Sequence, residues 1–437
     1  MGIIKTKIGI GAALLALAGA LLMPTTASAA DLKDADFTNA KIDWKQFSGT
    51  TLELGVQTHP WMVAMEKYIP QFERLTGIKV KYELLGEDVA VPKIKQQLAA
   101  GSKTPDVFMV NALGQAAASG WLEPLDSYLT DTKLTDPDWY KVNDIFAGGR
   151  SLATFNKKLL AMPITAEVQV LFVRTDLVKK VPTTMEELLV AAKAATKGKV
   201  SGFSTRGNPS GNEVPWPFGG FAFANGGEYL DDNGKPKLNS AANIKALKTY
   251  ASLMKYAPKG ASNWAWVENQ KAMYNGTLAM FPDSSAFTAG LRDAKSAGKT
   301  NLNVFPMPSV NGKSQGNVWF WTAGINSKSE NKKAAWLFLQ WATSAPVTYE
   351  SQLDVTTARS TAWKNPLAAA SMGQKNADVI ADTLAKVETK AMANAWTNAN
   401  WPQVADALGR AINKTITGGD AKKELDKAQA IAVKALG

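Results

Sequence analysis

Residues 51–56 read Thr-Leu-Glu-Leu-Gly-Val, and this alternation of polar and apolar positions predicts a β-strand. Apolar residues then recur at helical spacing between 62 and 72, and Gly77 ends the predicted helix. A second strand, a second helix and a third strand follow at 78–83, about 91–100 and 106–110. This order of strand–helix–strand–helix–strand predicts a mostly parallel α/β sheet with right-handed connections.

A second α/β unit is predicted to begin near Met162-Pro163-Ile164, with a strand at 169–173. Helices beginning at Thr184 and Ala241 follow, and a break rich in Gly, Pro and aromatic residues lies between them at 206–227. The later elements are strands at 277–281 and 301–305, a tryptophan-rich helix after Ser329, and a helical tail from Val404 that breaks at Gly418-Gly419.

The first residues predict an export signal. Lys5 and Lys7 precede an apolar run from Ile8 to Met23, and Ala27-Ser-Ala29 is a small-residue cleavage site. The alternative is a membrane anchor, but the run is shorter than the ~20 residues that a spanning helix needs. We therefore expect a cleaved signal peptide at 1–29, whose removal lowers the formal charge of +11 by two.

Two residue counts exclude much chemistry. The sequence has no cysteine, which excludes disulfides, thiolate metal sites, a cysteine nucleophile and a lipid-modified N-terminal cysteine. Its single histidine, His59, excludes a multi-histidine metal site and would have to serve any Ser–His–Asp triad. Since no lipid anchor is available, we expect a free protein in the periplasm of a Gram-negative bacterium, without metal or cofactor.

Catalytic motifs are missing. The segment Gly202-Phe-Ser204-Thr-Arg-Gly207 lacks the spacing of a nucleophile elbow, and Gly312-Lys-Ser314 lacks the upstream glycine of a P-loop. Lysines and arginines are dispersed among carboxylates, which argues against nucleic-acid binding. We expect a binding protein and not an enzyme, although a hydrolase built on a carboxylate pair stays open.

Several tryptophans lie in or beside Pro-, Gly- or Asn-rich breaks and not inside apolar helices. They are Trp61, Trp216, Trp264, Trp266, Trp321 and Trp401. Aromatic rings stack on the apolar faces of sugars, while neighbouring polar side chains pair with sugar hydroxyls. The alternative is that each tryptophan packs in a core, as we expect for Trp336 and Trp341.

Four polar residues are candidate ligand contacts on position alone. His59 follows the first strand, where α/β proteins bind ligands, but a purely structural role at a strand end is the alternative. Arg206 and Arg359 are isolated arginines in polar turns, where they alternatively are only solvated. Glu167 begins a predicted strand beside a predicted hinge, which is a less ordinary place for a carboxylate.

Six fragments, in the same order along the chain, resemble extracellular solute-binding proteins of family 1 from ABC sugar importers. They are Ile69-Pro-Gln-Phe-Glu-Arg-Leu-Thr-Gly-Ile-Lys-Val80, Ser102-Lys-Thr-Pro-Asp-Val107, Pro163-Ile164 followed by Glu167, Ala224-Asn-Gly-Gly227, Ala323-Gly-Ile-Asn326 and Ala334-Ala-Trp-Leu-Phe-Leu-Gln-Trp341. The segments His59-Pro-Trp61 and Pro215-Trp-Pro-Phe-Gly-Gly220 look like a branch that handles sugars or polyols.

The resemblance implies a two-lobed α/β fold of the periplasmic binding protein type (a type II Venus flytrap), with discontinuous lobes joined by hinge strands. We expect lobe 1 at 51–165 plus about 320–365, and lobe 2 at 166–316 plus about 370–437. The chain would cross the hinge near Pro163–Glu167, near Gly316–Trp321, and again around 360–375.

The resemblance also implies individual ligand contacts. Glu167 falls where maltose-binding protein, a distant member, has a sugar-binding glutamate, and Trp401 falls where that protein has a stacking tryptophan. Asp283 occupies a region where relatives often have a stacking aromatic residue, so a polar clamp is expected there. The full predicted set of ligand-binding residues is His59, Trp61, Glu87, Asn111, Glu167, Arg206, Trp216, Asp283, Trp321, Arg359 and Trp401.

The expected function is capture of a sugar or polyol between two lobes and delivery to the transmembrane subunits of an ABC permease, by a monomer that docks transiently. Two alternatives remain open. One is an exported polysaccharide-active enzyme, and the other is a ligand-sensing partner of a membrane receptor. The sequence does not identify the sugar or polyol, nor whether it is anionic.

Overall fold

The computed structural model describes residues 32–436. The predicted signal peptide at 1–29 lies outside these residues. The strands are β1 (Thr51–Gly55), β2 (Lys79–Tyr82), β3 (Val107–Val110), β4 (Thr154–Phe155), β5 (Lys158–Leu159), β6 (Met162–Pro163), β7 (Glu167–Arg174), β8 (Met280–Ser284), β9 (Leu302–Phe305), β10 (Val318–Trp319) and β11 (Thr322–Ile325).

Helices cover the sheets formed by these strands. They are α1 (Ala35–Thr38), α2 (Pro60–Thr76), α3 (Glu87–Ala99), α4 (Leu113–Ala118), α5 (Asp126–Thr130), α6 (Pro137–Tyr140), α7 (Ala147–Leu152), α8 (Met185–Ala195), α9 (Pro215–Ala224), α10 (Ala241–Met254), α11 (Trp266–Tyr274), α12 (Thr288–Leu291), α13 (Lys332–Ala342), α14 (Ala345–Ser351), α15 (Pro366–Met372), α16 (Gln374–Lys386), α17 (Lys390–Trp396), α18 (Trp401–Ile416) and α19 (Ala421–Leu436).

The first sheet contains five strands in the order β2-β1-β3-β11-β6. Strand β1 lies parallel to β2 and to β3, whereas β11 runs antiparallel to both β3 and β6. The strand–helix–strand–helix–strand prediction for 51–110 is therefore confirmed. In β1, Leu52 and Leu54 are buried while Thr51 and Glu53 are exposed, which is the alternation expected of one face turned to the core.

The second sheet is built around β7, which pairs antiparallel with β8 along one edge. Strands β10 and β9 share the other edge, with β10 beside the start of β7 and β9 beside its end. The strand predicted at 277–281 lies further along the chain, because β8 spans Met280–Ser284. Thr277 instead closes the end of α11, because its N–H donates to the carbonyl of Ala272. The shift places Asp283 inside the strand.

Three chain segments connect the two sheets and hydrogen-bond to one another. The N–H of Ile164 donates to the carbonyl of Trp321 at 2.8 Å, and the N–H of Ala166 donates to the carbonyl of Thr356 at 3.1 Å. The strands of the first sheet lie at 51–165 and 320–365, while those of the second lie between 166 and 319. The sheets thus share a narrow connection, as two lobes joined by hinge segments require.

The break predicted at 206–227 contains a helix, α9, whose ten residues are all buried. Pro215 is its first residue, a position that tolerates proline because the missing N–H has no partner within the helix. Phe218 and Phe221 pack edge-on against Tyr250 of α10, with ring centroids 5.9 and 5.0 Å apart. Burial of these aromatic side chains stabilises a helix whose glycines and prolines predict a loop.

The tryptophan-rich helix α13 lies in the core of the first lobe, as predicted. Trp336 and Trp341 are fully buried. The Trp336 indole N–H donates to Thr135 Oγ1 at 2.9 Å, and that of Trp341 donates to Gln71 Oε1 at 2.8 Å. Both polar groups of these rings are therefore satisfied, as burial requires. Within 32–436 we find no helix with the length and apolar content needed to cross a membrane.

Candidate functional site

Glu167 is the first residue of β7, at the point where the chain enters the second sheet. Its Oε2 accepts a hydrogen bond of 2.6 Å from Ser284 Oγ, at the end of the neighbouring strand β8. Burial raises the pKa of Glu167 to about 7, although the Ser284 hydrogen bond and the charge of Arg206 act in the opposite direction. This carboxyl group therefore exchanges its proton near neutral pH.

Arg206 and Asp283 form a buried bidentate ion pair beside Glu167. Arg206 Nε lies 3.0 Å from Asp283 Oδ2, and Nη2 lies 2.6 Å from Oδ1. Asp283 is fully buried in β8, and Arg206 is 8% exposed. The Tyr250 hydroxyl donates to the Arg206 carbonyl at 2.6 Å, which fixes the backbone that presents the guanidinium. Paired geometry of this kind offsets the cost of burying both charges.

Two further side chains enclose the Arg206 guanidinium. Glu213 Oε2 lies 3.4 Å from Nη1, and the Trp216 ring centroid lies 5.2 Å from the guanidinium carbon. Trp216 is itself anchored, since its indole N–H donates to the carbonyl of Val318 at 3.2 Å. We call Glu167, Arg206, Glu213 and Asp283 the Arg206 cluster. Trp216 forms its aromatic wall.

Glu87 of the first lobe is the first residue of α3. Burial raises the pKa of Glu213; Arg206 lowers it, and the charges of Asp283, Glu87 and Glu268 raise it further. The charge of Glu87 in the first lobe thus acts on Glu213 in the Arg206 cluster. This interaction is consistent with a cluster on the side of the second lobe that is turned toward the first.

His59 caps helix α2 and contacts Trp321. His59 Nδ1 accepts a hydrogen bond of 3.1 Å from the N–H of Trp61, so the neutral ring carries its proton on Nε2. The His59 and Trp321 ring centroids are 4.9 Å apart. Burial lowers the pKa of His59 to about 3, which keeps the imidazole uncharged at neutral pH. The ring thus offers one N–H donor and no charge.

Asn111, one of the predicted ligand-binding residues, directly follows the carboxyl end of β3. Its Nδ2 donates to Gln57 Oε1 at 3.3 Å, and Gln57 follows the end of β1. Adjacent parallel strands carry their loops to one edge of a sheet, which brings these two amides together. The pair lies in the first lobe at the same edge of the sheet as His59, which also follows β1.

Two predicted residues are buried away from the Arg206 cluster. Trp61 is 1% exposed within the core of the first lobe, which favours the core alternative. Arg359 is also 1% exposed, donates to the carbonyls of Thr343 and Lys141, and lies 4.8 Å above the Tyr140 ring. The alternative of a solvated Arg359 is wrong, because its guanidinium is enclosed in the scaffold of the first lobe.

Trp401 lies in the second lobe as the first residue of α18, three residues before the predicted helix start. Its ring stacks on Tyr229 with centroids 5.4 Å apart and planes inclined by 18°. The Tyr229 hydroxyl donates to the carbonyl of Pro215 at 2.6 Å, next to Trp216. Trp401 is therefore connected to the aromatic wall of the Arg206 cluster through Tyr229.

Sequence reasoning missed Glu213, Ser284 and Gln57. Glu213 lies in the break before α9, and nothing in its neighbours distinguishes it from a solvated carboxylate. Ser284 directly follows Asp283, so the corrected position of β8 would have identified it. No group of three or more His, Cys, Asp or Glu side chains suited to a metal ion occurs in the described part of the chain.

A cavity of about 230 Å³ lies elsewhere in the first lobe, between β1, β2 and α3. Among its lining residues are Lys93 and Glu83, which form an exposed ion pair of 2.7 Å. Exposed pairs of this kind contribute little energy and fix little geometry. We therefore place the candidate site at the Arg206 cluster, where the charges are buried and mutually oriented.

Two α/β lobes, joined by hinge segments and facing each other across buried polar side chains, define a solute-binding protein. The chain belongs to the bacterial extracellular solute-binding protein family, whose family model matches residues 56–349. It is 27% identical to the erythritol/L-threitol-binding protein of Mycolicibacterium smegmatis, over 69% of this chain and 68% of that protein. It is 26% identical to the mannitol-binding protein of Pseudomonas aeruginosa, over 67% of this chain and 69% of that protein.

Solved structures confirm the two-lobed fold. A solute-binding protein of an ABC transporter from Agrobacterium radiobacter K84, in complex with ribitol, is 27% identical with a TM-score of 0.78, covering 89% of this chain and 99% of that one. Maltose-bound MalE3 of T. maritima is 19% identical with a TM-score of 0.72, covering 88% of this chain and 99% of that one, and shows likeness of fold alone. The family and the fold class predicted from the sequence are thus confirmed.

Proposed function

We propose that the protein binds a linear polyol between its two lobes and delivers it to the permease of an ABC importer. The observation that supports this most directly is the Arg206 cluster, a set of oriented buried charges beside the Trp216 ring on the inner surface of the second lobe. Relatives named for erythritol/L-threitol and for mannitol, and a structural relative in complex with ribitol, support a solute of this class.

The proposed contacts follow from the chemistry of a polyol. Its hydroxyls donate to the carboxylates of Glu167 and Glu213, and they accept from the His59 Nε2–H. The fully buried Asp283 acts through Arg206, which it holds in place. Trp216 and Trp321 cover its C–H groups, as aromatic rings do in carbohydrate sites. Asn111, Glu87 and Trp401 complete the proposed site from positions further along the facing surfaces, whereas the burial of Trp61 and Arg359 argues against a ligand contact.

Binding would close the two lobes. Each lobe offers only part of the site, so a polyol that contacts both stabilises the closed arrangement by its higher affinity for it. The proposed lobe boundaries are 51–165 plus about 320–365, and 166–316 plus about 370–437. The closed monomer would then dock on the transmembrane subunits of the permease.

The cellular setting is also proposed. The extracellular family fits export, and the sequence features at 1–29 fit a cleaved signal peptide in a Gram-negative bacterium, with the mature protein free in the periplasm. We propose binding without turnover, without cofactor and without nucleic acid. A polysaccharide-active enzyme would instead release products, and a partner of a membrane receptor would leave polyol uptake intact when its gene is deleted.

A ligand screen tests the proposal. The protein would be unfolded to strip bound solute, refolded, and heated with erythritol, ribitol, D-mannitol, D-tagatose or maltose. A ligand at 100 times its Kd stabilises the native state by about 2.7 kcal/mol, which gives a measurable rise in Tm. We expect at least one linear polyol to raise Tm and to remain chemically unchanged. A rise with maltose alone, or product release, would contradict the proposal.

A further inference from the structure

The Arg206 cluster bears on the charge of the solute, an inference that rests on the proposed function. In arginine sites that bind anions, the guanidinium presents free N–H donors in a fork. Here Arg206 Nε and Nη2 both face Asp283, and Nη1 faces Glu213. The three guanidinium nitrogens each face a carboxylate of the protein, and the ring of Trp216 lies against the guanidinium. An anionic ligand that approaches Arg206 therefore meets two carboxylates that already neutralise its charge.

The surroundings of Arg206 are rich in acceptors. The Arg206 charge acts on Glu167 and Glu213, and Asp283 opposes it at both residues. Glu268 adds a further carboxylate that acts on Glu213. His59 contributes no positive charge, because burial lowers its pKa to about 3. The Arg206 cluster contains three carboxyl groups and one guanidinium. It is therefore locally acidic, although the formal charge of the whole chain is +11.

The helix starts near the cluster are also unsuited to anions. Free N–H groups at a helix N-terminus normally attract phosphate or carboxylate. In α9, Pro215 and Pro217 have no N–H, the N–H of Trp216 donates to the carbonyl of Glu213, and that of Phe218 donates to the carbonyl of Val214. In α11, the carboxylate of Glu268 already accepts from the N–H of Ala265. The start of α9 therefore offers an anion no free backbone donor, and the start of α11 already holds a carboxylate.

The start of α18 follows the same pattern. The N–H of Trp401 donates to the carbonyl of Asn398, Pro402 has no N–H, and Gln403 and Val404 both donate to the carbonyl of Asn400. Tyr229 joins this helix start to that of α9, through its stacking on Trp401 and its hydrogen bond to Pro215. The aromatic side of the proposed site thus presents rings and carbonyls in place of amide donors.

We infer that the site accepts neutral polyols and their cationic amino derivatives and excludes sugar acids and sugar phosphates, with Glu213 as the specificity-determining residue and Asp283 as the carboxylate that neutralises Arg206. A polyol hydroxyl satisfies a carboxylate by donating to it. An ammonium group does so with charge assistance, whereas a ligand carboxylate adds a like charge to a cluster that holds three carboxyl groups and one guanidinium. Like charges brought together at an interface cost several kcal/mol, so we expect exclusion by roughly 100-fold or more.

Three ligands of one carbon skeleton test the inference on the refolded full-length mature protein. They are D-mannitol, D-mannonate and 1-amino-1-deoxy-D-mannitol, compared by calorimetry at pH 8, with the ribitol series run in parallel. We expect the polyol to bind, the amine to bind within roughly tenfold of it, and the acid to lose roughly 100-fold. Equal or tighter binding of the acid would overturn the inference. An equal loss for amine and acid would also overturn it, because the effect would then be steric.

The variant Glu213→Gln provides the second readout. It keeps the shape of the side chain and removes one carboxylate charge, so the acid should regain affinity relative to the polyol by roughly tenfold. An unchanged ratio between acid and polyol would exclude Glu213 as a determinant. If neither the polyols nor their amines bind while another solute does, the proposed function itself fails, and that outcome is distinct from tight binding of the acid.

Discussion

Glu167, in the Arg206 cluster, has a proton that is exchangeable near neutral pH. Its pKa is raised to about 7 by burial, and its partner Ser284 Oγ donates to the ionised form or accepts from the protonated form. Asp283, next to Ser284 in β8, is held by two charge-assisted hydrogen bonds from Arg206. The carboxyl group of Glu167 is free to change its charge within the physiological range.

A pH dependence of stability follows from the raised pKa of Glu167. Between its unfolded pKa near 4.5 and its folded pKa near 7, the native state binds the proton that the unfolded state has lost. Native stability therefore decreases as the pH rises through this window, by about 3 kcal/mol. We expect Glu167→Gln to lose this slope, as measured by denaturant unfolding of both proteins at pH 5, 6, 7 and 8. Parallel curves for wild type and variant would contradict the assignment.

Sequence reasoning at the residue scale found the charged partners but not their pairing. Arg206 and Asp283 were both identified as candidates, yet 77 positions separate them, and the segment that leads to Arg206 reaches Asp283 because it runs beside β8. The N–H of Ser204, for example, donates to the carbonyl of Met280. Glu213 gave no signal, because a glutamate in a loop is ordinarily solvated. Arg359 was misjudged for the opposite reason, since its polar neighbours in sequence hide the aromatic ring and carbonyls that enclose it.

At the scale of the element, α9 shows where local pattern and tertiary packing disagree. Its glycines and prolines predict a break, but its aromatic residues bury against α10 and its backbone is held by side chains from the second sheet. Gln169 Nε2 donates to the carbonyl of Pro217 at 2.8 Å, and Asn317 Nδ2 donates to the carbonyl of Trp216 at 2.8 Å. These bonds set the position of Trp216 beside Arg206.

The glycines of α9 are needed for this close approach. A Cβ added at Gly220 would lie 2.0 Å from Gln169 Oε1, and Gln169 is fully buried and also accepts from the N–H of Asn317. We expect Gly220→Ala to destabilise the protein by about 1–3 kcal/mol through overpacking and to weaken polyol binding by displacing Trp216. Chemical denaturation and calorimetry measure the two effects.

A matched control is available in α12, where a Cβ at Gly290 would meet no atom closer than 3.9 Å. Gly290→Ala should therefore leave stability unchanged or slightly improved, since alanine is the better helix former. If the two substitutions cost the same, close packing between α9 and Gln169 is not what the glycine serves. The comparison separates a steric effect from the general effect of a glycine substitution.

At the scale of the whole molecule, Trp321 lies where the connecting segments and the lobes meet. Its carbonyl accepts hydrogen bonds from the N–H groups of Ile164 and Thr165, in the segment between β6 and β7. Its ring contacts His59 at 4.9 Å and Trp319 at 5.7 Å, and Trp319 pairs with Glu167 across β10 and β7. Relative rotation of the lobes would therefore change the surroundings of this ring.

Closure of the two lobes on polyol binding is measurable in solution. Polyol binding should reduce the radius of gyration measured by small-angle X-ray scattering and change the tryptophan fluorescence. Trp321→Phe, which keeps an aromatic ring and the same backbone carbonyl, should lose most of the fluorescence change and still become more compact with ligand. Trp139→Phe is the control, because Trp139 packs against Phe37 and Trp44 within the first lobe and its fluorescence should not respond to closure. This variant should therefore keep the fluorescence change of the wild type. An unchanged radius of gyration in the wild type, despite saturating polyol, would contradict closure, because a fluorescence change alone could arise from direct contact between the ligand and Trp321.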